Sequence, residues 1–107
     1  MDSEITVAEL KYLLDAGDEL LLVDVRESDE LAKAKLNGVL HIPMAQIPQR
    51  LAELRPADQA IVVMCHVGAR SERVAAYLRE NGFPNVANLA GGIDAWSREI
   101  DRSVPLY

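Results

Sequence analysis

Two runs in this chain, LLLVDV at residues 20–25 and AIVVMC at residues 60–65, are almost unbroken apolar. A strand with one face in water alternates apolar and polar residues, whereas a strand covered on both faces has no need to. Either run is too short for a helix that packs on its own, so both read as central strands. A sheet built on them must have helices on both faces. The segments between and around the runs supply those helices. Thr6 with Glu9 forms a capping box, and Val7, Leu10, Leu13 and Leu14 follow at helical spacing until Gly17. Ser28, followed by Asp29 and Glu30, opens a short helix. Met44, Ile47, Leu51 and Leu54 mark one face of a helix that ends before Pro56. Val74, Tyr77 and Leu78 mark the inner face of another, closed by Asn81 and Gly82. GVLHIP (residues 38–43) and VANL (residues 86–89) read as further strands, and GGIDAWSREI as a last short helix. Strands that alternate with helices predict an α/β domain with a parallel sheet.

Charge and cysteine content narrow the function. The net charge is −6, and residues 1–31 carry ten acids against Lys11 and Arg26, a sum of −8. The remainder, with nine bases against seven acids, sums to +2. No basic stripe with interleaved aromatics is present, so nucleic acid is not an expected partner. No apolar stretch approaches the ~20 residues needed to cross a bilayer, and the acidic start lacks a signal-peptide layout. A single cysteine excludes an internal disulfide, and no Cys/His cluster has metal-ligand spacing. A reducing cytoplasm, no metal and no membrane are the expectations.

That one thiol, Cys65, closes a strand and opens the segment HVGAR. Free cysteine is commonly a small core hydrophobe, and this reading stands for the residue taken alone. Its position argues for more, because ligands of open α/β sheets bind beyond the carboxyl ends of the strands. Gly68 permits a tight loop, successive loop amides can form an anion nest, and the next helix contributes its positive end. Up to ~2 kcal/mol from a helix N-terminus would lower a thiol from about 8.5 to about 7. The loop is suited to a negatively charged sulfur. Arg70, at its far end, reads as a cation for an anionic substrate. Asp24 and Arg26, at the end of another strand, read as a structural ion pair or loop cap. His41 reads as a satisfied core or edge histidine, Trp96 and Tyr77 as core, and Gly91 and Gly92 as a backbone turn.

The stretch VVMCHVGARSERVAAYLRENGFPNVANLAGGIDAW closely resembles the rhodanese, or sulfurtransferase, family. The likeness rests on the cysteine opening a loop with an inner glycine and a closing arginine, on NGF and on LAGGIDAW. Upstream, LLVDVRE and NGVLHIP match two strands of that family. The resemblance implies a rhodanese-like α/β fold with a five-stranded, mainly parallel sheet and helices on both faces. It implies a single domain over 1–107, with its core at about 5–97 and a C-terminal tail at 98–107. Cys65 corresponds to the cysteine that accepts a sulfane sulfur as a persulfide, and His66, Val67, Gly68, Ala69 and Arg70 to the surrounding loop. No cofactor is implied. The implied partners are a small donor such as thiosulfate, a thiol or cyanide acceptor, and a protein persulfide or sulfur carrier. His66 stands where the loop often has a second cation, so thiosulfate is expected to be a weak donor. Ala34, Lys35 and Leu36 replace a common GHI, a change expected to alter the surface rather than the activity. The tail SVPLY is similar to that of rhodanese domains fused to enzymes that activate sulfur-carrier proteins.

Two alternatives accompany this reading. Phosphatases and arsenate reductases also use a cysteine loop closed by arginine, but with five intervening residues, where this chain has four. A non-catalytic, partner-binding module would not require the cysteine, glycine and arginine together.

Overall fold

The computed structural model describes residues 1–107. Five strands, β1 (Glu4–Ile5), β2 (Leu21–Asp24), β3 (Leu40–His41), β4 (Ile61–Met64) and β5 (Val86–Leu89), form one sheet in the order β1-β5-β4-β2-β3. Every pairing is parallel, with Val23 opposite Val63 and Val63 opposite Asn88. Four α-helices, α1 (Val7–Asp15), α2 (Ser28–Lys33), α3 (Ala69–Glu80) and α4 (Gly92–Glu99), connect or follow the strands. Strand β1, two residues long with no apolar run around it, carries too little pattern to be read from the sequence. It is held at the sheet edge because Asn88 N–H donates to Ser3 O and Ala90 N–H to Ile5 O.

The continuous apolar runs are buried on both faces. Within β4, Ile61 and Val63 pack with Val74, Ala75, Leu78 and Phe83 on the α3 side. Val62 and Met64 point the other way, to Val7, Leu10, Ile93 and Trp96 of α1 and α4. Each such side chain gains roughly 1.5–3 kcal/mol from burial. The period of two carries on past the strand end, so Cys65 shares the α3 face with Ile61 and Val63.

The Thr6 capping box forms as the sequence predicts: Glu9 N–H donates to Thr6 Oγ1 at 3.1 Å, and Thr6 N–H to Glu9 Oε1 at 3.2 Å. The helix expected from Met44 to Leu54 is instead two 3-10 segments, Met44–Gln46 and Pro48–Leu54, with a non-helical Arg50. Pro48 lacks an amide proton and its ring crowds the preceding turn, which stops a regular α-helix there. Ile47 and Leu54 are still buried, as their spacing requires. The Ala34–Leu36 segment also differs from expectation. Ala34 and Leu36 are buried, and only Lys35 is a surface residue. No helix is long and apolar enough to cross a membrane.

Candidate active site

The loops after β2, β4 and β5 all emerge at the carboxyl end of the sheet, where an open parallel sheet leaves its crevice. Cys65 follows β4 and is only 1 % exposed. Gly68 N–H points back at its Sγ from 3.1 Å, and Ser71 Oγ lies 3.3 Å from the sulfur. The chain reverses at Gly68, whose φ of +115° lies in the left-handed region that glycine adopts without cost. Helix α3 begins at the next residue, so its first amides, which have no partners within the helix, surround the sulfur. Burial pushes the Cys65 thiol up, but the Ser71 hydroxyl and the amides of Ser71, Gly68 and Arg70 outweigh it. The net displacement is downward from the ordinary thiol value.

Ser71 has one proton and three neighbours able to accept it: Cys65 Sγ, Gly68 O at 3.2 Å and Asn88 Oδ1 at 2.5 Å. Asn88 Nδ2 donates to Gly68 O at 3.2 Å and to Glu4 Oε2 at 3.4 Å, which turns its Oδ1 toward the serine. In the thiol form the proton is best placed on Asn88. An ionised sulfur competes for it more strongly, because hydrogen bonds to a charged acceptor are about twice as strong.

The back of the loop is clamped by α4. Cys65 O accepts from Ile93 N–H and His66 O from Asp94 N–H, each at 3.0 Å. With these carbonyls turned toward α4, the peptide groups of the loop are held in one orientation. The approach requires glycine at position 92, where φ is +57° and a Cβ would sit 2.5 Å from both carbonyl oxygens. Gly92 therefore has a second role beyond the turn expected from the sequence.

Arg70 is not a free cation. Its Nη1 donates to Glu30 Oε1 at 2.6 Å and its Nη2 to Glu30 Oε2 at 2.9 Å, a forked ion pair between α3 and α2. The Arg70 guanidinium holds the Glu30 carboxyl down at about 2, and the carboxylate holds the guanidinium above its ordinary value. Asp24 and Arg26 form a fully buried pair, with Nη2–Oδ2 at 2.8 Å and Nε within 3.1 Å of both carboxylate oxygens. The remaining guanidinium protons reach Ala34 O at 2.9 Å, Glu30 O at 3.4 Å and the Tyr107 hydroxyl at 2.9 Å. This pair ties the β2 loop and α2 to the tail.

His66 is half-buried and stacks on Tyr107, with ring centroids 4.1 Å apart and planes 15° apart. Its Nε2 is buried with no partner. Val67 projects from the loop at 56 % exposure, and Ala69 is also exposed. His41 on the edge strand lies 2.6 Å from Arg26 O through its Nε2.

Four site residues went unassigned in the sequence: Ser71, Asn88, Glu30 and Tyr107. Two left a signal. Ser71 occupies the same buried stripe as Val74, Ala75 and Leu78, and Asn88 is the one polar residue of a wholly buried strand. Buried polar groups are rarely without purpose, because each must find a partner. Glu30 and Tyr107 left none, since their contacts span 40 and 77–81 residues.

A parallel α/β sheet whose central strand leads directly into a buried cysteine, with amides and a hydroxyl turned toward its sulfur, favours the thiolate of that cysteine. The chain belongs to the rhodanese-like domain family, whose profile matches residues 6–99. A protein of Allochromatium vinosum named sulfurtransferase is 41 % identical over 98 residues, covering 92 % of this chain and 91 % of that protein. The maize adenylyltransferase and sulfurtransferase MOCS3-2 is 35 % identical over 111 residues, covering 98 % of this chain but 23 % of its own length. Among solved structures, a rhodanese-like domain protein of Staphylococcus aureus superposes with a TM-score of 0.84 at 31 % identity, covering 99 % of both chains.

Proposed function

We propose that this protein is a sulfurtransferase that carries a sulfane sulfur as a persulfide on Cys65. The observation that carries the reading is the Sγ cradle, with Gly68 N–H at 3.1 Å and the Ser71 hydroxyl at 3.3 Å. The Cys65 thiolate attacks the outer sulfur of a donor such as thiosulfate. A new S–S bond forms, the donor's S–S bond breaks, and its electron pair leaves with sulfite. The terminal sulfur of the persulfide then occupies the loop, where amides favour its negative charge. With no second cysteine to form a disulfide, an outside nucleophile must attack that sulfur. Cyanide would leave as thiocyanate, and a thiol or sulfur-carrier partner as a new persulfide. Alternation of donor and acceptor gives ping-pong kinetics. The names of the Allochromatium and maize relatives support sulfur transfer.

Intact mass spectrometry tests this directly. Incubation with thiosulfate should add one sulfur atom, mapped to Cys65 and removed by cyanide. Sulfur transfer of undiminished rate in Cys65→Ala would refute the assignment.

A further inference from the structure

The ion pair at the end of the sulfur loop bears on which donors the site accepts, a role that rests on the persulfide chemistry proposed for Cys65. Both Nη groups of Arg70 are committed to Glu30. The carboxylate is itself held from two more sides: Oε1 accepts Glu27 N–H at 3.1 Å, and Oε2 accepts the Tyr107 hydroxyl at 2.8 Å. Tyr107 is fixed in turn by Arg26 Nη1 and by its stack on His66. The other cation nearby, Arg26, is cancelled by Asp24 in a pair with no solvent exposure. Lys33, whose amine lies 5.7 Å from the Tyr107 ring, is exposed and screened. The loop that should attract an anion therefore presents a neutralised arginine. A dianion that recruited Arg70 would have to open the fork and leave the carboxylate beside it. Side-chain exposures of 14 % for Glu30 and 32 % for Arg70 mean that this charge is only partly screened.

We propose that Glu30 is the donor-selecting residue of the site: its carboxylate neutralises Arg70 and disfavours dianionic sulfur donors relative to less charged ones. It touches the loop cation rather than the reacting sulfur, so it is a positioning and specificity residue.

Two donors with the same reacting bond separate charge from chemistry, thiosulfate as a dianion and methanethiosulfonate as a monoanion. Glu30→Gln removes the charge and keeps a side-chain oxygen at the N3 position of the α2 capping box, where glutamine is equally suited. For a charge several ångströms from the donor, kcat/KM with thiosulfate should rise about tenfold and with methanethiosulfonate about threefold. The thiosulfate gain should shrink with added salt. Glu30→Asp, which retains the charge, should keep the wild-type ratio of the two donors. Equal gains for both donors, or a loss with thiosulfate, would overturn the proposal. Should Glu30→Gln fail to fold, the wild type decides: its thiosulfate kcat/KM should not fall as salt rises, and a steep fall would reveal an unpaired attracting cation and refute it. The mass of wild-type Cys65 after either donor is read in parallel. Absence of the added sulfur with both would overturn the persulfide reading and this proposal together, whereas an added sulfur with an unchanged donor ratio would overturn this proposal alone.

Discussion

Substitution of Gly92 by alanine tests whether α4 holds the sulfur loop. A Cβ at this position would lie 2.5 Å from Cys65 O, 2.5 Å from His66 O and 2.7 Å from the His66 carbonyl carbon, all backbone atoms that cannot rotate away. Side-chain carbons do not approach backbone within 3.0 Å, so the start of α4 must move by about half an ångström or more. That displacement stretches the two 3.0 Å hydrogen bonds from Ile93 and Asp94 that orient the loop carbonyls. Loss of two buried hydrogen bonds costs about 1 kcal/mol each or more, and a left-handed alanine adds about 1–2 kcal/mol. The total, roughly 3–5 kcal/mol, is a large part of the ~5–15 kcal/mol that stabilises a domain. It corresponds to a fall in Tm of roughly 15–30 °C for a chain of this size. Gly38→Ala is the internal control. Its φ is +79°, but no atom lies within 4 Å of the added carbon, so only the backbone strain of about 1–2 kcal/mol applies. Urea unfolding followed by Trp96, the sole tryptophan, which is packed beside α1, measures both variants. In folded Gly92→Ala, the alkylation midpoint of Cys65 should also move up as the amides lose their aim. A stability within about 1 kcal/mol of Gly38→Ala, with an unchanged Cys65 midpoint, would refute the clamp.

Two further outcomes follow from the site. Alkylation of Cys65 should show a midpoint below an ordinary thiol, and Ser71→Ala should raise it by removing the hydroxyl nearest the sulfur. The same variant leaves Asn88 Oδ1 without its donor, at a cost of about 1–3 kcal/mol in an unfolding titration; a midpoint that stays put would exclude Ser71 from thiolate stabilisation. Glu30 should make the fold acid-sensitive. Its carboxyl is lowered from 4.5 to about 2, chiefly by Arg70, so its contribution is complete above about pH 4.5 and is lost as pH falls toward 2. With allowance for the partial exposure of Arg70, wild type should lose about 1–2 kcal/mol more than Glu30→Gln between pH 5 and 2.5, read from urea midpoints. Parallel slopes for the two proteins would show that the pair contributes nothing to stability.

Periodicity, caps and the unbroken apolar runs are local properties, and the architecture follows from them. LLLVDV and AIVVMC could satisfy their apolar surface only between two helical layers, and Thr6 with Glu9 could start a helix from its own atoms. The placement of Cys65 at a strand end followed by a glycine was equally legible, because three consecutive features of one segment define it. Where the local signal was incomplete, it misled. The spacing of Met44, Ile47, Leu51 and Leu54 named the right inward positions, but the missing amide of Pro48 decided the helix type. Strand β1 is two residues long and exists through its bonds to β5. The electrostatics of the site belong wholly to the tertiary structure. Arg70 reads as a free cation in sequence because nothing within its own helix cancels it. Its partner Glu30 lies 40 residues away on α2, the tyrosine that braces that partner lies another 77 residues from Glu30, and the backbone clamp on the loop comes from α4. These groups meet only because parallel strands deliver all their following loops to one end of the sheet, so the chain carries the residues of the site while the crossovers decide which of them touch.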